Sequence, residues 1–94
     1  MRTINRSTVF KKDYKRAKSN LRHNSDLTEL ISMVITLLAD DKPLPDKFRD
    51  HALVSNWSGY RECHIKPDLL LIYAQTEDNI LRLARLGSHS ELFR

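Results

Sequence analysis

Five side chains in the second half of this sequence have the chemistry of a proton-transfer site on a phosphate: His51, His64, Asp68, Arg85 and His89. The three histidines fall outside the segments that read as helices, at strand ends or in loops. Imidazole changes charge near neutral pH, so one or two of them can serve as general acid or base. Arginine offers a planar fork of donors suited to a phosphate that gathers charge during reaction. On a basic chain this combination fits phosphodiester chemistry. In RNA the neighbouring 2′-hydroxyl is itself the nucleophile. An enzyme then needs only a base for that hydroxyl, an acid for the leaving oxygen and a cation for the phosphate. Two simpler readings compete. Each histidine, taken alone, can be structural or solvated. Three histidines can also bind zinc, but their spacings match no short metal motif, and an arginine converging on the same point repels a cation. There is no Gly-rich phosphate loop, nucleophile elbow or Cys-x-x-Cys motif.

Such residues need a rigid frame, and the stretch from Gly59 to Tyr73 supplies it. It reads as two adjacent strands joined at Lys66-Pro67-Asp68, since proline forms turns and cannot serve a central ladder. The first run is polar at alternate positions, and the second is nearly all apolar. His64 and Asp68 thereby flank one turn. Ile80 to Leu86 predicts the last strand, ended by Gly87-Ser88 and followed by a tail from His89 to Arg94. Ala52-Leu53-Val54 predicts a brief strand, and Arg2 to Arg6 another. Ideal alternation puts Arg85 on the side of Leu81 and Leu83, a core-like side, unless a twist or bulge near Gly87 re-aims it. Phe93 either closes the core or stands exposed as a ring on which a base stacks.

Two helices precede the strands. Ser7 or Thr8 caps the first. Phe10, Tyr14, Ala17 and Leu21 form its apolar stripe. Between them lie Lys11, Lys12, Lys15, Arg16, Lys18 and Arg22, either a solvated face or a phosphate-facing one. Asp26-Leu27-Thr28-Glu29 has the capping-box form. Leu27, Leu30, Ile31, Val34, Ile35, Leu37 and Leu38 predict a mostly buried second helix. The short link from Arg22 to Ser25, which holds His23, predicts an antiparallel hairpin. Pro43 and Pro45 forbid further helix. Helices first and strands after predict an α+β fold: an N-terminal antiparallel helix hairpin packed on a small, mainly antiparallel sheet, with the other sheet face left to bind something.

A chain of 94 residues is expected to form one domain, 1–94. The net charge of +4 and pI near 9.5 point to an acidic partner, either nucleic acid or an acidic protein. The lone cysteine, Cys63, has no disulfide partner and reads as a small apolar residue in a reducing compartment. The N-terminus lacks the apolar core of a signal peptide, and no run approaches membrane-spanning length. The expected location is the cytoplasm, away from membranes.

Over almost its whole length the chain resembles the YafQ branch of the RelE superfamily of bacterial toxins. The resemblance is carried by Leu44-Pro45, Asp50-His51-Ala52-Leu53, Trp57-Ser58-Gly59-Tyr60-Arg61-Glu62, His64-Ile65-Lys66-Pro67-Asp68, Leu71-Ile72-Tyr73 and Arg85-Leu86-Gly87-Ser88-His89-Ser90-Glu91-Leu92-Phe93, in the family's order and spacing. It implies a RelE-like fold and a toxin of a type II toxin–antitoxin system. Such toxins cut messenger RNA in the ribosomal A site without metal or other cofactor, leaving a 2′,3′-cyclic phosphate. Two partners follow: the ribosome, through 16S ribosomal RNA and A-site message, and a small acidic antitoxin, through which alone DNA is met. By the resemblance, His64 and Asp68 transfer protons, with His51 and His89 as further candidates and His89 set against the leaving oxygen. Arg85 holds the phosphate and Phe93 stacks on or positions a base. Lys11, Lys12, Lys15, Arg16, Lys18 and Arg22 then become ribosomal RNA contacts. The branch favours AAA codons and commonly has Trp after the Pro-Asp pair, where this chain has Leu69. Readings of other classes are a non-catalytic toxin that binds DNA gyrase, like ParE relatives of similar fold, and a plain RNA-binding protein with incidental histidines.

Overall fold

Strand β4 (Leu69–Gln75) is the axis of the sheet, with every residue from Leu69 to Ala74 buried. A strand covered on both faces reads as one apolar run instead of an alternating one. In this computed structural model, which describes residues 1–20 and 26–93, β4 pairs antiparallel with β3 (Arg61–Lys66) on one side and with β5 (Ile80–Gly87) on the other. The turn between β3 and β4 falls at Pro67-Asp68, as expected. At the edges, β2 (His51–Ala52) runs antiparallel to β3, and β1 (Thr3–Arg6) runs parallel to β5, giving the order β1-β5-β4-β3-β2. The parallel pair was not anticipated from neighbouring strands. β1 and β5 are far apart in sequence, so no hairpin turn constrains their relative direction.

Helices α1 (Thr8–Ser19) and α2 (Leu27–Ala39) share one face of the sheet. Ser7 caps α1, its Oγ accepting from the Phe10 N–H at 2.9 Å. Phe10 and Ala17 of α1 and Leu27, Ile31, Val34 and Leu38 of α2 pack with Cys63, Leu71, Tyr73 and Leu83 from the strands. Each fully buried Leu or Ile in such a core contributes roughly 1.5–3 kcal/mol. Cys63 is the small apolar filler expected of it. The predicted capping box at Asp26 does not form: Asp26 makes no side-chain cap bond and instead meets Lys66 Nζ at 2.6 Å. Leu21 and the predicted link, with Arg22 and His23, lie outside the described residues.

The opposite sheet face is not bare. Leu70 and Ile72 are covered by Leu92, with Trp57, Tyr60 and Phe93 packed around them. Leu92 reaches them because the tail forms a short helix, α3 (His89–Leu92), closed by a capping box of Ser88 and Glu91. Gly87 permits this return: a Cβ there would stand 3.0 Å from Glu91 Oε1 and 3.2 Å from Leu92 Cδ2. The brief strand predicted over Ala52 to Val54 is instead His51–Ala52, since Ser55 turns to φ +59 and opens a 3-10 turn over Ser55–Trp57. Among the described residues no helix is long and apolar enough to cross a membrane.

Candidate active site

Glu62 and His64 are two apart on β3 and so share a face. They stand opposite Ile72 and Leu70, on the side away from the helices. His51 joins them from β2, directly across from Glu62. The Glu62 side chain is buried, and its Oε1 lies 3.6 Å from His51 Nε2 and 3.5 Å from His64 Nε2. Both rings turn Nδ1 towards a main-chain carbonyl: Arg49 O at 2.8 Å for His51 and Pro67 O at 3.4 Å for His64. An Nδ1–H donated to a carbonyl leaves Nε2 as the working nitrogen of each ring. Behind His51 the chain is anchored. Arg49 adopts a left-handed conformation at φ +50. The next residue, Asp50, accepts from the Tyr73 hydroxyl and from Arg61 Nε at 3.2 Å. Burial, and then the Asp50 carboxylate, push the Tyr73 hydroxyl well above its usual pKa, so it stays a donor.

His51 and Glu62 also line a cleft of about 570 Å³ together with His89, Phe93, Trp57 and Leu92. His89 opens α3 and Phe93 follows one turn later, the spacing that makes helical side chains neighbours. Their ring centroids are 5.0 Å apart. Phe93 is half-buried against the Leu92 cluster, the core role foreseen for it, and also lines the cleft. His64 is not among the cleft's lining residues and is tied to it through Glu62. Asp68 is exposed in the β3–β4 turn, outside the cleft, and the His64 ring bonds the Pro67 carbonyl instead of the Asp68 carboxylate.

Arg85 does not follow Leu81 and Leu83 into the core. Tyr73 faces Leu83 but Ile72 faces Arg85, so Ala84 is an extra residue and the strand changes phase there. The bulge lies upstream of Gly87. At the same level β1 ends, with Arg6 opposite Leu83, and among the described residues the rest of β5 has no strand along that edge. The side chains of the α1 cap, Ser7, and of Asp13 in mid-helix take its place. Ser7 Oγ donates to Ala84 O at 2.8 Å, and the Leu86 N–H donates to Asp13 Oδ2 at 3.0 Å. Asp13 also accepts from Arg85 Nε at 2.8 Å, Arg85 Nη2 at 3.3 Å and Arg16 Nη2 at 3.0 Å. Burial alone would raise this carboxyl. The bonds from Arg85 and Leu86 and the charges of both arginines outweigh it and hold the group below the usual carboxylate range.

The cations expected to meet RNA divide three ways. Lys11, Lys12, Lys15 and Lys18 are exposed on α1. Arg16 is engaged by Asp13 and, at 3.3 Å, by Glu91. Arg22 lies outside the described residues. Because Asp13, the one acid of α1, turns inward, the outward face of the helix is left uniformly cationic. Leu69, where the resembled branch commonly has Trp, is 1 % exposed in the helix-side core. Glu62 and Asp13 are absent from the set derived from the sequence, and each had a signal. Glu62 is two residues from His64 on a strand, and Asp13 sits on the Phe10–Ala17 stripe, where an acid is out of place.

Residues 2–94 match the family described as a bacterial toxin of type II toxin-antitoxin system, YafQ. The chain is 40% identical over 92 residues to the mRNA interferase toxin YafQ of Escherichia coli (strain B / BL21-DE3), covering 98% of this chain and 96% of that one. Its structure is similar to YafQ in the E. coli DinJ-YafQ complex, with a TM-score of 0.85, 40% identity and 100% of both chains covered. It is also similar to a metal-bound toxin from Helicobacter pylori, with a TM-score of 0.86, 46% identity, and 99% and 100% of the two chains covered. Among the described residues of this chain, no group of three His, Cys, Asp or Glu side chains is arranged to hold a metal ion.

Proposed function

Because this chain belongs to the YafQ family of bacterial type II toxins, we propose that it is an endoribonuclease that cuts messenger RNA in the ribosomal A site and is neutralised by its own antitoxin. The observation that carries the reading is the shared carboxylate. Glu62 faces the Nε2 atoms of two imidazoles, and His51 and Glu62 share their cleft with a third, His89. The 2′-hydroxyl attacks the adjacent phosphorus, forming the P–O2′ bond as the P–O5′ bond breaks. The His51–Glu62–His64 group takes the 2′-hydroxyl proton, with Asp68 as a further acceptor at the turn, and His89 returns a proton to the leaving O5′. Arg85 neutralises the phosphate oxygens, and Phe93 stacks on a base. The products are a 2′,3′-cyclic phosphate and a 5′-hydroxyl, and the protons balance on these side chains alone.

Residues 1–94 act as one toxin domain in the cytoplasm. The lysines of α1 bind 16S ribosomal RNA, since a ribosome-bound nuclease needs sequence-independent phosphate contacts. An acidic antitoxin is the natural counterpart of a chain with net charge +4. E. coli YafQ is found with DinJ in a toxin-antitoxin complex. The gyrase-binding alternative is not favoured, as the curated relatives are mRNA interferases. Added to a translating extract, the protein should give messenger 5′ ends in register with codons by primer extension, and none once the antitoxin is present. Broken DNA with gyrase, or RNA retained uncut, overturns the reading. Joint Lys11→Glu, Lys12→Glu and Lys15→Glu substitution should abolish ribosome binding and spare antitoxin binding.

A further inference from the structure

We propose that Asp13 is a positioning residue, whose carboxylate sets the orientation in which the Arg85 guanidinium meets the scissile phosphate. This rests on the reading above that Arg85 neutralises that phosphate. A guanidinium carries five N–H donors in a fixed plane. Asp13 takes the Nε–H and one Nη2 hydrogen of Arg85, through different oxygens, so the plane is held at two points and the remaining donors point away from that carboxylate. The oxygen that holds Arg85 Nε also holds the Leu86 N–H, which ties the guanidinium to its own strand. From Asp13 the network continues. Arg16 bridges Asp13 to Glu91, and Glu91 Oε1 accepts the Ser88 N–H at 2.8 Å, capping the helix that begins with His89. One carboxylate on α1 is thereby linked both to Arg85, which is not among the residues lining the cleft, and to the cap of the helix that carries His89. An arginine is long and flexible, and mis-orientation at the reacting group costs rate more than binding.

Single-turnover cleavage on programmed ribosomes should show Asp13→Asn slowing the saturated rate on the order of tenfold, with the half-saturating ribosome concentration unchanged. In an Arg85→Ala background the same substitution should add nothing, since no guanidinium remains to orient. Equal slowing in both backgrounds, or a normal rate in Asp13→Asn, overturns the proposal while the function stands. Wild-type cleavage by Arg85→Ala removes the phosphate reading itself, and the proposal with it. Should Asp13→Asn not fold, the wild type decides. Its Arg85 Nε–H resonance, assigned by loss in Arg85→Lys, should exchange slowly and report hindered guanidinium rotation, and free rotation overturns the proposal.

Discussion

Asp13 and Glu62 are the two buried charged side chains among the described residues, at 2% and 6% exposure, and the fold treats them in opposite ways. Asp13 has its four acceptor positions filled at 2.8–3.3 Å, three of them by arginines, which keep their charge at any pH the fold survives. Glu62 has two imidazoles at 3.5 and 3.6 Å on one oxygen, and among the described residues no hydrogen bond on the other. A saturated carboxylate can only hold its partners. An unsaturated one, beside ring nitrogens of a type that gains and loses protons near neutral pH and open to a cleft, can pass a proton on. Burial of an acid therefore accompanies a clamp in one place and, on the function proposed above, proton transfer in the other, and the partners decide which.

The contrast can be broken first on its chemical side. His89→Ala should slow cleavage roughly 10³-fold, within the span usual for a lost general acid. His89 is exposed, so its melting curve should match the wild type. Near-normal cleavage on the ribosome would remove His89 from the reaction. Next, Glu62→Gln should slow cleavage about 10²-fold with folding intact by circular dichroism. A rate loss no larger than that of Asp13→Asn would put the two acids in one class.

Stability sharpens the other side. Asp13→Ala leaves Arg85 and the Leu86 N–H without their acceptor and should cost about 3 kcal/mol in urea unfolding. Glu62→Ala should cost about 1 kcal/mol, for it leaves no short hydrogen bond unmade. Equal losses would erase the distinction. The smallest effect is in acid. Asp13 titrates lower in the folded chain than an unperturbed aspartate, whose pKa is about 3.8. Its stabilisation is thus complete above that value and is lost as pH falls towards the lower folded one. Glu91 is shifted in the same direction but is 41% exposed, so its share is smaller. Urea midpoints measured from pH 5 to 3 should fall for the wild type and fall less for Asp13→Asn.

How far the sequence can be read differs from residue to residue along the site. His51, His64 and His89 stand out by their chemistry, but only His51 lies at a strand end: His64 is inside β3, and His89, expected outside any helix, opens α3. Glu62 is hidden by its ordinary type, although strand alternation already puts it beside His64. The capping box expected at Asp26 does not form, whereas one that was not anticipated forms at Ser88. Lys66, from a distant strand, competes for the Asp26 carboxylate, whereas Glu91 has Arg16 to hold it in place.

By itself the sequence determined what depends on neighbours along the chain: a cap at Ser7 or Thr8, the apolar stripes of α1 and α2, the Pro67-Asp68 turn and the unbroken run of β4. These follow from helical and strand periods and from the geometry of proline, which need no distant partner. Only the tertiary structure decided the side taken by Arg85, because a bulge exists between two strands and cannot be read from one. Only it joined His51 to Glu62 across a strand pair, and brought Asp13 to the edge of β5 where β1 runs out. Long-range pairing sets which groups meet, and the local pattern only makes them available.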